Sequence, residues 1–462
     1  MGATQPWTIT LFALAALILF NLTVFSPGFS LKKLFLFPVI ALSAVFLAYL
    51  LFQLIPLPQP LLKLVSPATY KLYAEYSLAY SQTGNWRPIS IYPWLSVTEL
   101  IKLISYGFIF VTVLFRAFSA GNSTADNETG QRKMAYLCLG CLTGMLAILI
   151  HSLVDFNLHI CANAFYFSVL FALAAALNAK NQRIDRKFIY KVINAIILTG
   201  FIIAVFGIAH KLSGSHKIYW LIKKDGSHFG PYINYDHYAG YMGMCAGLAV
   251  AFFMAEARFS SFFLIKGIRN KLNWLSSSEA SRAISYLFYS IIMSGSIFYS
   301  SSRGGIISFI IAELVFLFVI IIRARKNRRG RLAFFFALAV SLSALISYWI
   351  GPDATYAKFR QLNKIIRSVI HEPAVLSEMR PDMWSDTLKI ARDFPLTGTG
   401  FGTFPSIFPK YRTHEWRGQF LRYAHCDYLQ LASETGVIGL LFIIGFLVYF
   451  TRLYVFTLRK IN

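Results

Sequence analysis

Residues 304–322 read GGIISFIIAELVFLFVIII, and residues 323–331, which follow at once, read RARKNRRGR. At 1.5 Å per residue the first run makes a helix about 28 Å long, close to the thickness of a bilayer's hydrocarbon core. Backbone N–H and C=O groups inside lipid must pair within their own segment, so the run reads as a membrane-spanning helix. The second run holds Arg323, Arg325, Lys326, Arg328, Arg329 and Arg331 and no acid. Short loops of that composition stay on the cytoplasmic side, which orients the helix.

The same reading extends in both directions. Apolar runs at 8–25, 34–56, 98–117, 134–154, 161–180, 187–210, 235–256, 283–300, 304–322, 332–351 and 433–455 are candidate spans. The expected fold class is all-α: a polytopic transmembrane helical bundle of about eleven spans with a large, mostly helical external loop. A transmembrane β-barrel is excluded, since it would show short alternating segments rather than long continuous ones. Composition agrees, with 56% hydrophobic and only 14% charged residues, where soluble domains carry about a quarter charged. The start, MGATQPWT, lacks a basic n-region, so the first run is read as a span and not as a cleaved leader.

Net charge is +24. In a soluble chain that would suggest nucleic acid. Here the basic residues lie between apolar runs, where they orient helices and meet anionic lipid, so nucleic acid is not an expected partner. Counting outward from 323–331 places 181–187, 257–282 and Arg459 with Lys460 in the cytoplasm, and 57–97, 211–234 and 352–432 outside. The loop 352–432 has 11 Lys/Arg against 8 Asp/Glu, net +3; long loops cross regardless of charge. The expected organisation is 1–118, N-terminal spans with a first external loop; 119–182, a helix pair; 183–351, central spans; 352–432, an external loop domain; and 433–462, a final span and tail. Within the loop domain, Tyr356, Phe359, Leu362, Ile365, Ile366 and Ile370 recur at helical spacing, and a second helix is expected over about 381–393. A connection this long tends to carry function.

Five features could carry chemistry, and all fall on the external side. Ser301-Ser302-Arg303-Gly304-Gly305 joins two spans. Its arginine reads as an interfacial anchor or as an anion clamp, because guanidinium meets phosphate oxygens bidentately and keeps its charge. The small residues beside it would let a bulky ligand approach the backbone. Arg380 precedes Pro381-Asp382-Met383-Trp384. The glycines of Pro395-Leu396-Thr397-Gly398-Thr399-Gly400-Phe401-Gly402 follow no strand and open no helix, so a packed turn is expected rather than a nucleotide loop. Ala424-His425-Cys426-Asp427 leads to the last span, and His425 is a candidate general base or an interfacial histidine with satisfied partners. Asn234, Asp236 and His237 open the run at 235–256, as a substrate portal or as helix caps. Candidate cavity residues are Asn234, His237, Ser302, Trp384 and Asp427. The cysteines are scattered, and Cys138 with Cys141 lies in an apolar run without a histidine cluster, so neither a metal nor a cofactor is expected.

The SSRGG segment, the stretch MRPDMWSDTLKIARDFPLTGTGFGTF and the closing AHCDYLQLASETGVIG resemble the O-antigen ligase and polymerase-like family over about residues 187–455. That resemblance implies a metal-independent, inverting glycosyltransferase of the bacterial inner membrane. Such an enzyme moves a glycan from undecaprenyl diphosphate to an acceptor hydroxyl at the periplasmic face, the acceptor being lipid A core, a polysaccharide or a protein. It implies Arg303 and Arg380 as the diphosphate ligands and His425 as the base. Two departures stand out. Cys426 follows the histidine where the family often has Asn. The run His151-Ser152-Leu153-Val154-Asp155-Phe156-Asn157-Leu158-His159 resembles an element of the family's C-terminus but here lies between early spans. Two helices moved as a pair preserve the orientation of all others, and His151, Asp155 and His159 would then either reach the external site or cap their own turn. A transporter is the reading of another class. It would show inverted repeats with broken, charged helices at mid-membrane, and no such repeat pair is found.

Overall fold

The computed structural model describes residues 6–26, 37–77, 80–118, 128–179, 184–223, 228–256, 267–323, 379–413 and 421–460. The basic run after Arg323, the expected span at 332–351 and the amphipathic stretch 356–370 lie outside the described residues.

The described residues are mostly helical, with one small hairpin. Its elements are α1 (Pro6–Val24), α2 (Pro38–Phe52), α3 (Gln59–Val65), α4 (Pro67–Tyr76), α5 (Tyr80–Thr83), α6 (Pro93–Ala117), α7 (Glu128–His151), α8 (Cys161–Asn178), α9 (Arg186–Leu212), β1 (Lys217–Ile218), β2 (Ile222–Lys223), α10 (Tyr235–Glu256), α11 (Ile268–Leu275), α12 (Ser278–Ser300), α13 (Arg303–Arg323), α14 (Met379–Asp393), α15 (Phe404–Tyr411) and α16 (Asp427–Arg459). Several helices open on proline, whose missing N–H costs nothing at the first turn. Asp185 caps α9 by accepting from the Phe188 N–H at 3.0 Å. Nine of the described helices are long and apolar enough to cross a membrane, and α2, with 15 residues, is a shorter apolar helix. The protein is a multi-pass membrane protein.

The most buried helix is α10, which packs between α7 and α12. Small residues set the α7–α10 spacing. A methyl group on Gly140 would sit 2.4 Å from the Ala251 Cβ, and one on Gly144 would sit 2.7 Å from the Met244 carbonyl oxygen. In lipid, where apolar surface alone drives no helix association, such close backbone approach is a main source of packing energy. The pair α7–α8 is therefore integral to the bundle. Its flanks nonetheless meet each other: Asp185 N–H donates to the Ala117 carbonyl at 2.8 Å, so α6 and α9 abut where the pair departs and returns. At that same end Glu256 is held by Lys133 (3.0 Å) and Arg282 (3.3 Å), and Lys460 Nζ donates to the Leu177 carbonyl at 2.8 Å.

A layer of short helices and loops covers the opposite end. Met383, Ile390, Phe394, Phe404, Ile407, Phe408 and Ala424 form its apolar core. The loop 57–97 joins it, with Ile91 N–H donating to the Thr399 carbonyl at 3.0 Å. The last helix begins at Asp427, earlier than the span edge of 433 expected from hydropathy, and it breaks at Gly436 (φ 62°, ψ −156°). The glycine-rich turn fills that break: Thr399 and Gly400 N–H groups donate to the Ser433 and Glu434 carbonyls, each at 3.0 Å, and Val437 N–H reaches the Pro395 carbonyl at 2.8 Å. The Glu434 carboxylate accepts from Gly402 N–H (2.8 Å) and Phe404 N–H (3.1 Å). Backbone groups freed by the kink are thus paired rather than left bare in lipid.

Candidate active site

The chain reverses between α12 and α13 over only Ser301 and Ser302, with Ser301 in the left-handed region (φ 64°). Ser302 caps α13, accepting from the Gly305 N–H at 3.1 Å, and its hydroxyl donates to Asp236 Oδ1 at 2.5 Å. Arg303 is therefore the first residue of its helix, half-buried at the end of the bundle. The two glycines after it lie against neighbouring helices. A Cβ on Gly304 would lie 3.0 Å from the His151 ring, and one on Gly305 would lie 2.3 Å from Ala239. They admit the ends of α7 and α10.

Asp236 sits in the first turn of α10, where Asn234 Oδ1 accepts from its N–H at 2.8 Å. Asn234 is thus a helix cap. The free oxygen of Asp236 faces Arg380 Nη2 at 3.4 Å, a contact that brings α14 to α10 across 144 residues of sequence. Asp236 was not among the residues expected in the cavity. A lone acid in the first turn of an apolar helix reads as a dipole partner, and nothing local signals its cross-chain arginine.

His425 adopts φ 50°, a left-handed conformation uncommon outside glycine and asparagine. Its carbonyl and that of Ala424 both accept from Trp384 Nε1, at 3.2 and 3.1 Å. Trp384 therefore holds the backbone beneath the histidine. The ring's Nδ1 lies 3.2 Å from Asp155 Oδ1, and Phe156 meets the ring edge-on with centroids 4.6 Å apart. Asp155 is fully buried, with its other oxygen 3.6 Å from His237 Nε2, beyond hydrogen-bond length. Burial alone would push the Asp155 carboxyl up. The hydrogen bond from His425 and the positive potential of His237, His151 and His425 reverse this and hold it at about 2.

Asp427 fastens the 152–160 turn to the start of α16. Its N–H donates to the Ser152 carbonyl (3.0 Å), its Oδ2 accepts from Leu158 N–H (3.1 Å), and its Oδ1 lies 2.7 Å from His159 Nδ1. Burial works against charge on His159, but the hydrogen bond and charge of Asp427 outweigh it and raise its pKa. Gln430 bridges His159 (3.2 Å), Glu434 (3.1 Å) and the Ala424 N–H (3.0 Å). The residues expected in the site thus divide. His425, Arg380, Ser302 and His237 converge around Asp155 and Asp236, Arg303 opens the helix that Ser302 caps, and Trp384, Asp427 and Asn234 build the frame. Of the histidine-rich turn, Asp155 reaches into the site, while His159 is a strut beside it. Among the described residues no cluster of His, Cys, Asp and Glu could hold a metal ion.

Two guanidiniums, a histidine backed by a buried carboxylate and an aromatic wall can bind an anion and take a proton beside it. Residues 288–444 match the model of the family described as O-antigen ligase. The match includes Arg303, Arg380 and His425, whereas Asp155, Asp236 and His237 lie outside it. No curated protein and no solved structure matches the chain.

Proposed function

We propose that this O-antigen ligase-like protein transfers a glycan from undecaprenyl diphosphate to an acceptor hydroxyl, of lipid A core, a polysaccharide or a protein, at the periplasmic face of the bacterial inner membrane. The observation that carries the reading is the His425–Asp155 contact. With Nδ1–H directed at a buried carboxylate, the imidazole presents Nε2 as a lone pair, the form a general base needs. Asp155 is then a positioning residue that fixes the tautomer and stabilises the imidazolium once formed.

In the proposed step His425 Nε2 takes the acceptor's hydroxyl proton. The oxygen bonds to the anomeric carbon, and the bond from that carbon to the diphosphate oxygen breaks with inversion. The leaving diphosphate keeps the electron pair, and Arg303 and Arg380 stabilise its charge; no metal is assigned to the step. Arg380 exchanges its 3.4 Å contact with Asp236 for phosphate oxygens, which pair with it bidentately.

The test is glycan transfer by purified protein given undecaprenyl-diphosphate-linked glycan and a panel of lipid A core, polysaccharide and protein acceptors, with chelator present, beside His425→Ala. Transfer by the wild type and none by folded His425→Ala is expected, and the acceptor used separates ligase from polymerase or protein glycosylation. Absence of transfer by folded, donor-binding wild type would overturn the reading, and full transfer by the variant would remove the base.

A further inference from the structure

The hairpin β1–β2 has no part in the chemistry above, and its build is unusual. Lys217 pairs with Lys223 and Ile218 with Ile222, which leaves Tyr219, Trp220 and Leu221 as the turn. Tyr219 and Trp220 both hold positive φ, 55° and 61°. Hairpins normally place glycine or asparagine in such positions because a Cβ is disfavoured there. The tip is apolar and exposed: Leu221 is 81% accessible, with Trp220 at 44% and Ile222 at 42%.

The hairpin also points the wrong way for a loop in water. Tyr219 and Trp220 pack on Phe206, with ring centroids 5.8 and 5.4 Å apart, and Trp220 lies 4.9 Å from the His210 ring. Trp220 Nε1 donates to Ser213 Oγ at 2.8 Å, and His210 Nε2 donates to the Lys217 carbonyl at 2.8 Å. Phe206 is six residues before Leu212, the end of membrane-spanning α9, so the tip folds back about 9 Å along the helix. That depth suits the interface between headgroups and acyl chains, where tryptophan and tyrosine concentrate. The cross-strand partners Lys217 and Lys223 put two like charges side by side, an arrangement that lipid phosphates would relieve. The end of α9 from which the hairpin springs lies toward the site: Lys211 Nζ lies 5.9 Å from the rings of both Phe229 and Tyr299, and Tyr299 is four residues before Arg303.

We infer that this hairpin dips into the bilayer leaflet at the site end of the bundle and forms the lip over which a lipid-borne substrate slides toward Arg303 and Arg380. The depth of the tip stands on its own; the role as lip rests on the function proposed above. The test uses the full chain in nanodiscs containing anionic phospholipid. Leu221→Cys, made with Cys161→Ser since the other four cysteines are buried, carries an environment-sensitive NBD label. The label is expected to emit at blue-shifted wavelength and to be quenched by phospholipid bearing a nitroxide high on the acyl chain. In the second arm Leu221→Asp is expected to weaken binding of undecaprenyl diphosphate about tenfold, as suits the loss of one leucine's contact with lipid, and to leave geranyl diphosphate binding unchanged. A label that reports water overturns the proposal. A quenched label with both ligands weakened alike, or neither, overturns the lip. A wild type that binds both ligands yet transfers no glycan would count against the transferase and leave the lip standing.

Discussion

Asp155→Asn is the substitution that most directly weighs the site. The side chain is fully buried, and asparagine has nearly its volume, so packing is conserved. What changes is the charge 3.2 Å from His425 Nδ1. A hydrogen bond to a charged partner contributes about 1.5–3 kcal/mol. At 1.36 kcal/mol per tenfold, its loss from the step in which the imidazole becomes cationic slows transfer about 10- to 150-fold. The loss belongs in kcat, because the arginines that hold the donor are untouched. The wild-type carboxyl, held at about 2, is ionised at pH 6 and at pH 8 alike, so the comparison at either pH removes a charge. The assay is steady-state transfer by purified protein at both pH values, with thermal unfolding to verify the fold. The double variant with His425→Ala should be no slower than His425→Ala alone, because a positioning residue has nothing left to position. A kcat within about twofold of wild type, or a change confined to KM, would refute the assignment.

Arg303→Lys should lose most donor binding in a direct assay with undecaprenyl diphosphate, because an ammonium cannot reproduce the guanidinium fork. Gly398→Ala should destabilise the fold by about 2–5 kcal/mol, read as a lowered Tm or lost folded yield: the residue has φ +65°, and a methyl group would lie 2.2 Å from the Glu434 carbonyl carbon. The raised pKa of His159 means that its pairing with Asp427 stabilises the fold fully below the ordinary value of 6.5 and fades as pH rises through the folded value. The Tm gap between wild type and His159→Gln should accordingly be widest at acid pH and shrink at alkaline pH. For orientation, a cysteine at exposed Arg412 should react with an impermeant thiol reagent in intact spheroplasts and one at exposed Arg459 should not; the reverse pattern would invert the topology.

The spans were legible because lipid forces length and hydropathy to agree. The gathering of the polar motifs at one end was also readable, since span counting alone put SSRGG, Arg380, the glycine turn and His425 on the same side. The pairings were not. Asp155 and His425 stand 270 residues apart, and Asp236 and Arg380 stand 144 apart; a contact of that range leaves no local periodicity. The helix packing of the glycines beside Arg303 was not legible, because close approach by a neighbouring helix and by a ligand demand the same small residue. Hydropathy also hid the start of α16, since Asp427, Gln430 and Glu434 are polar yet buried among partners.

The abutment of Ala117 and Asp185 carries a consequence for ancestry. The α7–α8 pair leaves and re-enters the bundle at one point, and the tail of α16 already rests on its exit, through Lys460 on Leu177. A gene could therefore carry this cassette in its middle or after its last helix and encode the same spatial arrangement. The family match spans the histidine and the two arginines and leaves the carboxylate beneath them outside its bounds.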